Sequence, residues 1–170
     1  NLDLLPPDAE ETKASLWTIQ QNSLVPATSF SNAQIVRVDF FQKSVDSLPI
    51  IYPKKDTSLI NASVASNKNE GQIVEAGFFY RSPDLNNSST YPLKTATEAF
   101  EELKENRAFI ASINDKTKTN ITIKNIYLGY YLDQENDVFL SPVFIFEGDS
   151  SFLAYLPAIS SPWFEEKPTR

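Results

Sequence analysis

The 170-residue chain contains no cysteine, no histidine and no methionine. Without cysteine there is no disulfide framework, no thiolate nucleophile and no zinc-ribbon or iron–sulfur ligation. Without histidine there is no Ser-His-Asp triad, no imidazole base and no imidazole metal ligand. Carboxylates, hydroxyls and amines are what remain for chemistry. Only 4 glycines stand against 11 prolines, which predicts stiff, proline-punctuated loops with few positions needing φ > 0. Those glycines, Gly71, Gly77, Gly129 and Gly148, are scattered, so no loop cradles phosphate. No apolar run approaches the roughly 18 residues of a membrane span, and no signal-peptide pattern is present. A start at Asn1-Leu2-Asp3 without methionine reads as a processed piece; any export signal or anchor the protein had would then have lain upstream.

What is present is enough for a folded interior: 41% hydrophobic residues, with 12 Phe and 7 Tyr. That aromatic content favours strands over a helical bundle. The net charge is −7, from 15 basic and 22 acidic residues. Its distribution is 3 basic and 6 acidic over residues 1–50, 5 and 5 over 51–100, and 7 and 11 over 101–170. No basic stripe exists, which argues against nucleic acid as a partner.

Along the chain, Asp8 and Glu11 have capping-box spacing, and Leu16, Trp17, Gln20 and Leu24 fall near one helical face. The spacing predicts a helix over 9–22, stopped by Pro26. Strands follow at 34–41, 48–52, 59–65 and 72–81, with a hairpin turn at 67–71. Residues 82–91 form the clearest loop. Thr95 and Glu98 make a second capping box, opening a helix to about Asn106. Phe109–Ile113 continues as helix exit or short strand. Strands at 122–132, 138–146 and 152–159 complete the chain. The inward set shifts from Ile121/Ile123 to Ile126/Leu128/Tyr130, which places a bulge near Asn125. Pro142 and Pro157 each remove a ladder donor and belong at edges or bulges.

This order predicts an α+β protein: two α-then-antiparallel-β-meander units packed as one body, an internal duplication with no parallel pairing. The units span 9–81 and 93–160, joined by a linker at 82–92 and flanked by tails 1–8 and 161–170. In the second unit, Glu98-Ala-Phe-Glu-Glu-Leu103, Tyr127-Leu-Gly-Tyr-Tyr131 and Leu140-Ser-Pro-Val-Phe-Ile-Phe-Glu-Gly148 with Phe152-Leu-Ala-Tyr-Leu-Pro-Ala158 resemble PepSY-like, cystatin-like modules and the YycH/YycI-type envelope regulators. They are also similar to uncharacterised membrane-anchored proteins of bacterial candidate phyla. The resemblance covers about 92–160 and is carried by structural motifs. It implies a non-enzymatic extracytoplasmic module behind an N-terminal membrane helix, binding or regulating a protein or peptide at the bacterial envelope, with no cofactor and no catalytic residues.

The aromatics Tyr127, Tyr131, Phe139, Phe152 and Tyr155 are the expected partner-binding residues, because both parities of Tyr127–Tyr131 carry rings and one sheet face holds only one parity. Two chemistries compete. Asp133, Glu135 and Asp137 alternate like a calcium loop, but the required glycine and distal glutamate are missing, so a solvated hairpin turn is the reading. Asp39, Glu75 and Glu147 are the strand-borne acids a glycan hydrolase could use, with Asp39 read as a surface ion pair beside Arg37. Assembly through unpaired edge strands is a third class. Asn61, Asn86, Asn87 and Asn120 open Asn-x-Ser/Thr acceptor motifs.

Overall fold

The computed structural model describes residues 7–67, 70–114, 120–134, 139–161 and 163. Among them the chain is mainly β, with ten strands in two five-stranded sheets and one α-helix. The expected α+β duplication is therefore overturned. The chain divides into two units: Asn1–Lys43 with Asp56–Arg81, and Ser44–Lys55 with Ser82–Arg170.

The first unit holds β1 (Ala9–Gln20), β2 (Ser23–Pro26), β3 (Ile35–Gln42), β5 (Ile60–Asn67) and β6 (Glu70–Phe78), all antiparallel in the order β2-β1-β3-β5-β6. The intervening β4 (Ile50–Ile51) belongs to the second unit. No helix forms over 9–22. Asp8 does not cap one; its carbonyl accepts the Lys43 N–H at 2.8 Å, closing the ladder between β1 and β3. Ala14, Leu16, Thr12 and Thr18 alternate with Lys13, Ser15 and Trp17, and β3 supplies the matching partners from Ile35 to Gln42. A 3-10 turn at Phe30–Asn32 is the unit's one helical element among the described residues.

Cross-strand rows define two faces. Leu16, Val36, Val64 and Ile73 align in one row, and Ala14, Val38, Ala62 and Ala76 in the next. The opposite face carries Ser15, Arg37, Ser63 and Glu75, then Lys13, Asp39, Asn61 and Gly77. Among the described residues of this unit burial is mostly polar: Asp39, Gln42, Ser58 and Ser63 are buried, with Ile60 the one hydrophobic beside them.

The second unit is built the opposite way. Its sheet runs β4-β8-β9-β10-β7, with β7 at Phe109–Ser112, β8 at Ile123–Tyr131, β9 at Ser141–Gly148 and β10 at Leu153–Pro157. Strands β9 and β10 are buried at consecutive positions, Val143–Phe146 and Leu153–Leu156, so both parities are apolar there. Phe144, Phe146, Ala154 and Leu156 meet helix α1 (Ala96–Lys104) through Ala99, Phe100 and Leu103. Val143, Ile145, Leu153 and Tyr155 form the other cluster, with Ile51, Ala111 and Tyr131. A Cβ on Gly129 would lie 2.7 Å from Ile145 Cδ1 and 2.9 Å from the Pro49 carbonyl, so only glycine lets these groups close over the strand.

Two expectations about pairing change here. The β4–β8 pair is parallel, Ile50 with Tyr130 and Ile51 with Tyr131, because residues 44–55 belong to the same unit as β8 but are far from it in sequence, so no hairpin dictates their direction. Pro142 lies in central β9, not at an edge. Its carbonyl accepts the Ala158 N–H at 3.0 Å, and the carbonyl that its missing N–H would have served, Ala158 O, takes the Lys94 N–H at 2.8 Å instead. The bulge stands where parity placed it, as a register shift between Ile123 and Asn125.

Helix α1 carries the predicted capping box. Thr95 N–H and Oγ1–H donate to Glu98 Oε2 at 2.7 and 2.9 Å, and Glu98 N–H returns to Thr95 Oγ1 at 3.2 Å. These bonds hold the Glu98 carboxyl below its ordinary value, the backbone bond contributing most. A depressed carboxylate stabilises the fold above its unfolded pKa and loses that contribution as pH falls through its folded one. The protection of α1 amides, taken as exchange relative to the unfolded-chain rate at the same pH, should therefore fall as pH drops below about 4.3, the ordinary glutamate value. Glu98→Gln should flatten that dependence, and Thr95→Ala should cost about 1 kcal/mol at neutral pH.

The paucity of glycine did not spare the backbone from left-handed residues. Eight described non-glycine residues have positive φ and no glycine does. Six of them form three consecutive pairs, Gln21-Asn22, Asp46-Ser47 and Ser150-Ser151. Each pair spans a tight reversal, of the primed kind that matches strand twist. A non-glycine residue there costs about 1 kcal/mol. Ser47→Gly, at φ 65, should accordingly raise stability by roughly that amount in urea unfolding.

Candidate partner-contact surface

The five aromatics singled out from sequence separate. Phe152 sits in the core under α1 and is buried. Tyr155 is buried in the second cluster, its hydroxyl donating to the Tyr52 carbonyl at 3.2 Å and its ring 5.8 Å from that of Tyr131. Tyr131 is half-buried against it. Tyr127 and Phe139 are exposed, at 38% and 70%. Parity in β8 identified rings on both faces, but burial of the partner strands decided which ones reach solvent.

Tyr127 belongs to a polar group. Its hydroxyl donates to Glu147 Oε1 at 2.8 Å, while Asn125 Nδ2 donates to Oε2 at 3.1 Å. Partial burial, then the Glu147 carboxylate, raises the Tyr127 phenol well above the usual tyrosine range. Glu147 is thus held by two neighbours.

The other carboxylates are similarly engaged. Asp39 is not a surface ion pair: it is 1% exposed. It accepts Arg37 Nη2 at 2.9 Å, Arg37 Nε at 3.0 Å and the Ser58 N–H at 2.8 Å. The hydrogen bond from Arg37 raises the guanidinium pKa further, with Glu75 adding to the pull. Ser63 Oγ approaches Glu75 Oε2 at 3.4 Å. Once β1 is a strand, Glu10 and Glu11 are strand-borne as well. A shallow cleft in the second unit is lined by Lys94, Glu98, Glu102, Arg107 and Ser160. There Glu98 serves the capping box, and Glu102 pairs with Lys94 at 2.9 Å. Residues Glu135 and Asp137 of the calcium-like stretch lie outside the described residues. Among the described ones no group of three acids could hold a metal ion.

The surface that sequence reasoning underweighted is β6. It pairs with β5 on one side and closes the sheet on the other, so among the described residues one row of its backbone N–H and C=O groups has no neighbouring strand. Ile73, Val74 and Phe78 are 60%, 53% and 56% exposed along it. The register shift opposite Ser63/Val64 inserts Val74 between Ile73 and Glu75, so apolar side chains appear on both sides of the edge. The alternation in 72–81 was visible in the sequence; edge position was not. Strand β7 is a second, shorter edge, with Phe109 and Ile110 exposed.

No protein-family model, curated protein or solved structure matches this chain.

Proposed function

We propose that this chain is a non-enzymatic module that contacts a protein or peptide partner by strand addition at the open edge of β6. The observation that carries the reading is the conjunction of a ladder with no partner strand among the described residues and Ile73, Val74 and Phe78 exposed on it. Main-chain bonds supply affinity in this mode, and alternate side chains supply selectivity. Engagement of Asp39, Glu98, Glu102 and Glu147 by neighbouring groups favours binding over carboxylate hydrolysis. Placement outside the cytoplasm, at a bacterial envelope behind a membrane anchor, is part of the proposal, supported by the absence of cysteine.

The test is selection of extended peptides from a displayed random library against the immobilised chain. Enriched peptides should slow amide exchange in Gln72–Ala76, and Ile73→Lys with Val74→Lys should weaken their binding at least tenfold, since each apolar contact removed is worth about 1.5–3 kcal/mol. Circular dichroism of the variant controls for folding. Peptides that bind the lysine variant equally well, or a chain that enriches none and remains monomeric, would remove the reading.

A further inference from the structure

We propose that Asn86 is an acceptor for N-linked glycan transfer to the folded protein. Four asparagines open Asn-x-Ser/Thr motifs, and the structure separates them. Asn61 sits in β5, where Nδ2 donates to the Ser58 carbonyl at 3.0 Å; a Cβ on Gly77 would come within 2.9 Å of that nitrogen. Its amide is consumed by the fold. At Asn120 the hydroxyl residue of the motif is clamped: Thr122 N–H donates to Asp149 Oδ1 at 3.2 Å, and Thr122 O accepts the Asp149 N–H at 3.0 Å.

The segment Asp84-Leu-Asn-Asn-Ser-Ser89 differs. The Asn87 N–H donates to the Asp84 carbonyl at 3.1 Å, closing a four-residue turn, and the Asn86 N–H donates to Asp84 Oδ1 at 3.0 Å. Asn86 is therefore at the third position of the turn, near its apex, and residues 84–89 are all exposed. Downstream, Ser88–Tyr91 lies outside helix and strand, so a transferase can bend Ser88 against the acceptor amide without breaking a ladder. Asn87 forms the overlapping motif with Ser89, but its own N–H closes the turn through the main chain.

The co-reactant is an oligosaccharide linked to a lipid diphosphate. The Asn86 Nδ2 forms a bond to the anomeric carbon of the donor sugar, and the bond from that carbon to the diphosphate oxygen breaks. The lipid diphosphate leaves with the electron pair, and one Nδ2 proton passes to a base of the transferase. No redox change occurs. Use of the site in a cell rests on the extracytoplasmic placement, whereas acceptor chemistry on the folded chain does not.

The experiment is therefore done in vitro, with the folded chain, a purified oligosaccharyltransferase and its lipid-linked donor, read by intact mass and peptide mapping. One glycan is expected, mapping to Asn86. Ser88→Ala should reduce modification at least tenfold and Ser88→Thr should retain it. Ser89→Ala, which breaks only the Asn87 motif, should leave it unchanged. An unmodified mass, a glycan mapped to Asn61, Asn87 or Asn120, or indifference to Ser88→Ala would overturn the assignment.

Discussion

Phe146→Ala is expected to destabilise the second unit by about 3–5 kcal/mol, read as a fall in the urea midpoint. Phe146 has no exposed surface and lies between Ile126 of β8 and Ala154 of β10, on the sheet face that receives α1. Its neighbour Phe144 is 6.4 Å away between ring centroids, and both belong to one cluster with Ala99, Phe152 and Leu156. Emptying that position leaves a cavity that backbone bonded on both sides cannot collapse to fill. Nine residues of helix are too few to persist without packing. Signals from α1 should consequently be lost together with those of the sheet. Phe146→Leu should cost markedly less, since most of the volume is kept.

The second large effect is expected at Asp39, in the unit that has little apolar interior. Asp39→Ala should cost about 3–5 kcal/mol, because it leaves the partly buried Arg37 guanidinium and the Ser58 N–H without their acceptor. Arg37→Ala strands a carboxylate whose side chain is only 2% exposed, and should be comparably damaging. The double variant should lose clearly less than the sum of the two, and the difference measures the coupling of the pair. Fluorescence of Trp17, whose indole N–H donates to Ser15 Oγ on the same face, reports the transition once Trp163 is replaced by phenylalanine. Additive losses would mean that the pair contributes only separate packing.

The acidic balance acquires a different meaning at Asp39. Read along the sequence, Arg37-Val-Asp39 is an ordinary pattern for a solvated strand face. In the sheet, Asp39 lies level with Lys13 on one side and Asn61 on the other. The Ser58 side chain meanwhile ties the Phe40 carbonyl at 2.6 Å to the Ile60 N–H at 3.1 Å. Burial of the carboxylate comes from that knot at the start of β5, about 20 residues away in sequence. The same logic separates the aromatics: Tyr127 and Tyr155 look alike in sequence, yet one is 38% exposed and bonded to Glu147 while the other is buried against Tyr131.

Local order was legible wherever neighbouring residues decide it. Thr95 and Glu98 are three positions apart and make their own bonds, so α1 was readable from sequence, as was the parity break beside Asn125. Strands β3, β5, β6, β8 and β10 show their alternation or apolar runs openly. For residues 9–20 the same information was ambiguous. The Asp8/Glu11 spacing and the Leu16, Trp17, Gln20 set satisfy a helix, while Thr12, Ser15 and Thr18 satisfy a strand.

Only β3 on one flank and β2 on the other resolved that choice, by offering backbone partners along the segment. The sequence by itself determined an aromatic, strand-rich chain without thiol or imidazole chemistry, and one well-capped helix. Tertiary structure decided that residues 9–20 form a strand rather than a helix, that β4 joins β8 in parallel, that Asp39 is interior and that β6 ends its sheet among the described residues. Each of these depends on which distant strand supplies the opposing hydrogen bonds and which faces become covered. Periodicity specifies a strand's two faces, but the sheet's order alone assigns its neighbours.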